Sequence, residues 1–153
     1  LLTTDAQWDE CRALFGDERA SYRDALDRHY TSGAPEGWRA SFISEYATMH
    51  PWEDFAECFA HYLHIRGTLS TAAAAGMVLH TDRAPGILDD DIEPASDYTD
   101  APTERMLHDW EWVSLFFNRV NRAMGQHDLY PFELSPPVHA KLDFIHRLVA
   151  PLR

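Results

Sequence analysis

The run His50-Pro51-Trp52-Glu53-Asp54-Phe55-Ala56-Glu57-Cys58-Phe59-Ala60-His61-Tyr62-Leu63-His64-Ile65 decides the fold class of this chain. At 3.6 residues per turn, Trp52, Phe55, Ala56, Phe59, Tyr62 and Leu63 fall within an arc of roughly 120°, the pattern of an amphipathic helix opened by Pro51. That arc is expected to face a core. Glu53, Glu57, His61 and His64 follow one another at four-, four- and three-residue spacing and share a second stripe, roughly 80° wide, on the opposite side.

The same helical periodicity extends in both directions. Toward the N-terminus, Asp5 is the expected N-cap of a short helix carrying Trp8, Leu14 and Phe15, with Gly16 as its stop. A second helix is expected from about Glu18 to Tyr30, where Tyr22, Ala25, Leu26 and Tyr30 form an apolar stripe at three- and four-residue spacing before the Thr31-Ser32-Gly33 break. Pro35 then opens a third, whose stripe is Trp38, Phe42, Ile43 and Tyr46 and whose end lies near His50. Toward the C-terminus, the helix that starts at Pro51 should end near Ile65, and the alanines of Thr68 to Ala75 predict a fifth helix between Gly67 and Gly76.

From about 81 to 103 the periodicity lapses. Pro85, Pro94, Pro102 and the acidic run Asp89-Asp90-Asp91 describe a long, solvated, acidic loop. A long helix from about Glu104 to Met124 is expected to bury Leu107, Trp110, Val113, Phe117, Val120 and Met124, and a last one carries Val138, Leu142, Ile145 and Val149 from Pro137 to Pro151. Only Met77-Val78-Leu79 and Leu129 to Leu134 have extended character, and both are short. The expectation is an all-α, mainly helical chain forming a single helical domain or subdomain over 1–153.

Composition narrows the function classes. With 13 Lys and Arg against 25 Asp and Glu, the formal charge of −12 gives no general attraction to phosphate backbones or anionic lipid, so neither nucleic acid nor membrane is an expected partner. No apolar run approaches the roughly 20 residues of a membrane span. Cys11 and Cys58 do not make a disulfide scaffold, which points to a reducing, cytoplasmic location. The first residue is Leu and not Met, and the expectation is a chain that starts inside a longer product.

Carboxylate and imidazole are both zinc-ligand types, and adjacent helical turns bring them close enough to share a coordination sphere. The same stripe is also what a solvated helix face looks like. His61 and His64 form an H-x-x-H pair with the same two readings. His50 stands at a helix boundary before proline, and Cys58 borders the apolar arc as a core thiol.

Glu53 to Ala60 reads E-x-F-A-E-x-F-A, and this resembles the signature that follows the HExxH helix in glutamate-zincins. A broader resemblance, to bacterial zinc-binding metallopeptidases with a zinc ribbon ahead of a glutamate-zincin domain, is carried by three segments. They are Phe15-Gly16-Asp17-Glu18-Arg19-Ala20-Ser21-Tyr22, His50 to Glu57 with His61-Tyr62-Leu63-His64, and Asn121-Arg122-Ala123-Met124-Gly125 with Asp128 to Phe132 and Leu134-Ser135-Pro136. The resemblance implies Glu53 as a zinc ligand and Glu57 as a carboxylate behind the ligands, while His61 and His64 are further candidates for that supporting role by their place on the stripe. It also implies Tyr46, seven residues before Glu53, as the donor to the oxyanion, although Tyr46 equally completes the apolar stripe of Trp38 and Phe42.

No His-Glu-x-x-His occurs in the sequence, so the resemblance implies zinc-dependent hydrolysis of a peptide or protein substrate only with histidines from outside this chain. Truncation is the expected cause. The alternative is a non-catalytic helical interaction module that meets its partner through the acidic stretch Asp89 to Asp100.

Overall fold

The computed structural model describes residues 2–83 and 90–150, and Pro85, Asp89 and Pro151 lie outside the described residues. The chain is mainly helical, with α1 (Asp5–Phe15), α2 (Tyr22–Ser32), α3 (Pro51–Ala74), α4 (Thr103–Ala123) and α5 (Pro136–Val149). Among the described residues there is no strand, only one isolated antiparallel bridge between Leu79 and Ile92. No helix among them is long and apolar enough to cross a membrane.

The cap of α1 is Thr4 and not Asp5. Its hydroxyl accepts the Gln7 amide while the Gln7 side chain accepts the Thr4 amide, so each satisfies an end group of the other. Helix α2 starts later than its apolar spacing indicated, because Ser21 caps it and the residues before it form a local turn in which Arg19 binds Asp17 through backbone and guanidinium.

The third helix expected from Pro35 to His50 does not form. Two short 3-10 turns, Trp38–Ala40 and Tyr46–Thr48, stand in its place. Gly37 takes a left-handed conformation, the Ser44 hydroxyl accepts the Ala47 amide, and the Ser41 carbonyl accepts from the Lys141 ammonium. Side chains thus meet backbone groups that a helix would have paired internally.

Helix α3 does not stop near Ile65 either. It runs unbroken through Gly67 to Ala74, absorbing the two helices expected there into one of 24 residues. A helical glycine costs about 1 kcal/mol relative to alanine, too little to end a helix fixed by Ile65, Arg66 and Leu69, all buried.

The buried face of α3 is also displaced from the aromatic arc. Asp54, Cys58, His61, Tyr62, Ile65, Leu69 and Ala72 are buried, whereas Trp52 is 56% and Leu63 47% exposed.

The chain divides into two compact units, Leu1–Tyr62 with Phe132–Arg153, and Leu63–Pro131. In the first, Phe15 of α1 packs against Phe55 of α3 and Phe144 of α5, with ring centroids 5.3 and 6.1 Å apart. Val138, Leu142, Ile145 and Leu148 give α5 its buried stripe. Two polar links cross this core: Tyr62 Oη lies 3.0 Å from His146 Nδ1, and Lys141 Nζ lies 2.5 Å from Asp54 Oδ2.

In the second unit, α4 buries Met106, Leu107, Trp110 and Val113. The stretch before α4 is pinned and not simply solvated. Ile92, Pro94 and Tyr98 are buried, and the Arg66 guanidinium reaches Asp97 at 2.5 Å and Thr99 at 3.1 Å. The Tyr98 hydroxyl donates to the buried Asp109 carboxylate at 2.6 Å and accepts the Ala95 amide. The Asn118 amide group pairs with both backbone polar groups of Tyr130, which fixes the connection after α4.

Candidate functional site

His50 sets the start of α3. Its Nδ1 lies 3.1 Å from the Trp52 amide, which can only donate, so Nδ1 accepts and Nε2 carries the proton. Nε2–H then donates to the Ala20 carbonyl at 3.1 Å. The imidazole caps an otherwise unpaired helical amide and ties α3 to the turn before α2. Both nitrogens are committed to backbone, so His50 is a structural residue.

One turn into α3, Glu53 is half-buried and its Oε1 accepts the Tyr22 hydroxyl at 2.8 Å. Tyr22, at the first position of α2, is held in place by the His50 and Trp52 rings at 5.3 and 5.9 Å. Tyr46 adjoins this pair from the Tyr46–Thr48 turn. Hydrogen bonding to Glu53 first, and to Tyr46 second, raises the Tyr22 phenol well above the ordinary value.

A phenol has one proton to give, and Tyr22 gives it to the carboxylate. The Tyr46 ring meets the His29 ring edge-on at 5.9 Å, and His29 Nδ1 is buried without a hydrogen-bond partner. Structure thus pairs Glu53, singled out by sequence, with Tyr22, which was not.

Glu57 lies one turn further along α3, half-buried, and its Oε2 accepts the Ser44 hydroxyl at 2.7 Å. His61 is buried, its ring edge-on to Phe132 at 4.4 Å. His64 is exposed and, in the second unit, borders an apolar groove of about 430 Å³ lined by Leu63, Trp110, Phe117, Leu129 and Tyr130. The four residues of the stripe do not converge into one ligand set: among the described residues, no group of three or more His, Cys, Asp or Glu stands ready to hold a metal ion.

Cys58 is fully buried and its thiol donates to Asp54 at 3.6 Å. Burial first, and the neighbouring Asp54 second, push its pKa far up, which removes it as a nucleophile. Beside the start of α3, Trp8, Cys11, Phe15, Pro51, Trp52 and Phe55 line a second apolar groove, of about 320 Å³.

Zinc chemistry fits one member of this site. Glu53 offers a half-buried carboxylate with Oε1 fixed by a phenol and Oε2 bearing no hydrogen bond among the described residues, which is the form a single-oxygen ligand takes. The remaining ligands are not supplied by the described residues.

Residues 1–148 match the family described as "Putative zinc-binding metallo-peptidase". Proteins described as uncharacterised, one from Mycobacterium bovis and two from strains of Mycobacterium tuberculosis, are each 47% identical to the chain over 142 residues. The matched region covers 89% of this chain but 37% of each relative, so the chain spans little more than a third of their length. No solved structure matches.

Proposed function

Because the chain belongs to this zinc-binding metallopeptidase family, we propose that it forms the part of a peptide-hydrolysing metalloenzyme in which Glu53 is a zinc ligand. The observation that carries the reading is the Tyr22–Glu53 hydrogen bond. It orients a half-buried carboxylate from a second helix, an arrangement that a solvated surface glutamate has no need of.

Zinc bound there supplies Lewis-acid polarisation of the scissile carbonyl and a water acidic enough to attack at neutral pH. Glu53 would hold the metal through Oε2 while Oε1 stays with Tyr22. Glu57, with one oxygen on Ser44, would turn its other oxygen toward the N–H of a ligand imidazole, with His61 further down the same helix in an outer supporting role. Tyr46 would offer its hydroxyl as a hydrogen-bond donor to the substrate oxyanion. Two ligand histidines and the base that deprotonates water come from the rest of a longer protein, and the isolated chain is inactive.

Elemental analysis and chelator competition on the full-length protein test this assignment. Glu53→Gln is expected to keep the fold and lower zinc affinity by at least about 100-fold, more than the loss typical of an outer-sphere change. Wild-type zinc affinity in a folded Glu53→Gln protein would leave the chain as a non-catalytic interaction module.

A further inference from the structure

Resting on the metallopeptidase reading, we propose that Tyr22 is a positioning residue that restricts Glu53 to one ligating oxygen. Three observations combine. The phenol donates to Oε1 at 2.8 Å, Oε2 carries no hydrogen bond among the described residues, and the phenol ring is fixed by His50 and Trp52.

A glutamate's last torsion is broad and nearly two-fold, so an unrestrained carboxylate turns freely between one- and two-oxygen ligation. A charge-assisted hydrogen bond to one oxygen removes that freedom. The donor itself is not free to follow, because the imidazole against its ring has both nitrogens tied to backbone and the indole that completes the three-ring cluster belongs to the same helix as Glu53. Tyr22 therefore sets the ligand geometry without touching the metal.

The test uses the full-length protein with Tyr22→Phe, Tyr46→Phe and Glu53→Gln, read by zinc affinity, by the visible spectrum of the cobalt(II)-substituted protein and by melting temperature. Phenylalanine keeps the ring packed against His50 and Trp52, so the fold should hold. Tyr22→Phe is expected to weaken zinc binding about 10-fold and shift the cobalt bands, which a purely structural ring would not do. Tyr46→Phe should lower turnover while leaving zinc affinity and the cobalt spectrum unchanged.

If Glu53→Gln loses metal while Tyr22→Phe keeps wild-type affinity and spectrum, the positioning role is wrong and the ligand assignment stands. If Glu53→Gln also keeps its metal, the metallopeptidase reading falls and this inference with it. Should Tyr22→Phe fail to fold, 3-fluorotyrosine at position 22 retains the ring and strengthens the donor. An unshifted cobalt spectrum in that protein overturns the proposal.

Discussion

Replacing Asp54 with alanine is expected to destabilise the chain by about 3–5 kcal/mol in urea unfolding, because it strands the Lys141 ammonium in the interior. Both side chains are almost wholly buried, with Nζ 2.5 Å from Oδ2. Lys141 retains the Ser41 carbonyl at 2.8 Å and the faces of Phe42 at 4.4 Å and Phe15 at 5.6 Å, none of which neutralises a charge. The pair is not thereby a net source of stability. Burial pushes the Asp54 carboxyl up to about 6 in spite of the adjacent ammonium, so desolvation outweighs attraction.

The sign of the pH dependence follows. A carboxyl whose folded value lies above its unfolded value of 3.8 contributes stability in full below about pH 4 and loses it as the pH rises through about 6. The Asp54→Leu, Lys141→Met double variant, measured by the same unfolding experiment, should be neutral or more stable than wild type. A double variant as unstable as Asp54→Ala would show that the ion pair and not its burial governs the site.

Tyr98→Ala should cost about 3–5 kcal/mol, the range for emptying an aromatic site. Tyr98 is 1% exposed, and its hydroxyl is donor to Asp109 and acceptor from the Ala95 amide. Tyr98→Phe separates the two components: it keeps the ring and removes the donor from a buried carboxylate that then retains Arg105 at 3.2 Å. A loss of about 1–3 kcal/mol is expected for Phe in thermal or urea unfolding. Equal losses for Phe and Ala would assign the whole effect to the hydrogen bonds.

These two sites also explain why the sequence was only partly legible. Helices α4 and α5 were readable because their buried positions are mostly apolar and recur at helical spacing, whereas α1 buries Phe15 alone and was bounded by its Gly16 stop. Helix α3 was readable as a helix but not in its orientation. Its buried face includes Asp54, His61 and Arg66, which hydropathy counts as outward-facing, and their partners Lys141, Phe132 and Asp97 are remote in sequence. Trp52 and Leu63 drew the apparent core to a face that is half open.

The failed third helix has the same origin. Trp38, Phe42, Ile43 and Tyr46 keep helical spacing, but the tertiary bond from Lys141 and the local one from Ser44 decide the backbone there. At the candidate site, Glu53 was found through a motif, and its hydroxyl partner lies 31 residues earlier. Tyr22 was visible as the end of the Phe15–Tyr22 segment that carries the family resemblance, yet helical periodicity assigned it to an apolar stripe. Spacing along one helix cannot report a hydrogen bond between two.

Cys58 adds one practical property. A sulfhydryl with no solvent exposure and a disfavoured anion is silent toward alkylating reagents while the surrounding core stays shut. The protein thus carries its own clock for opening: the pace at which that sulfur is modified counts excursions of the Asp54–Lys141 core. Any replacement at the candidate ligand that merely loosens the scaffold would be exposed by faster labelling, apart from whatever it does to metal.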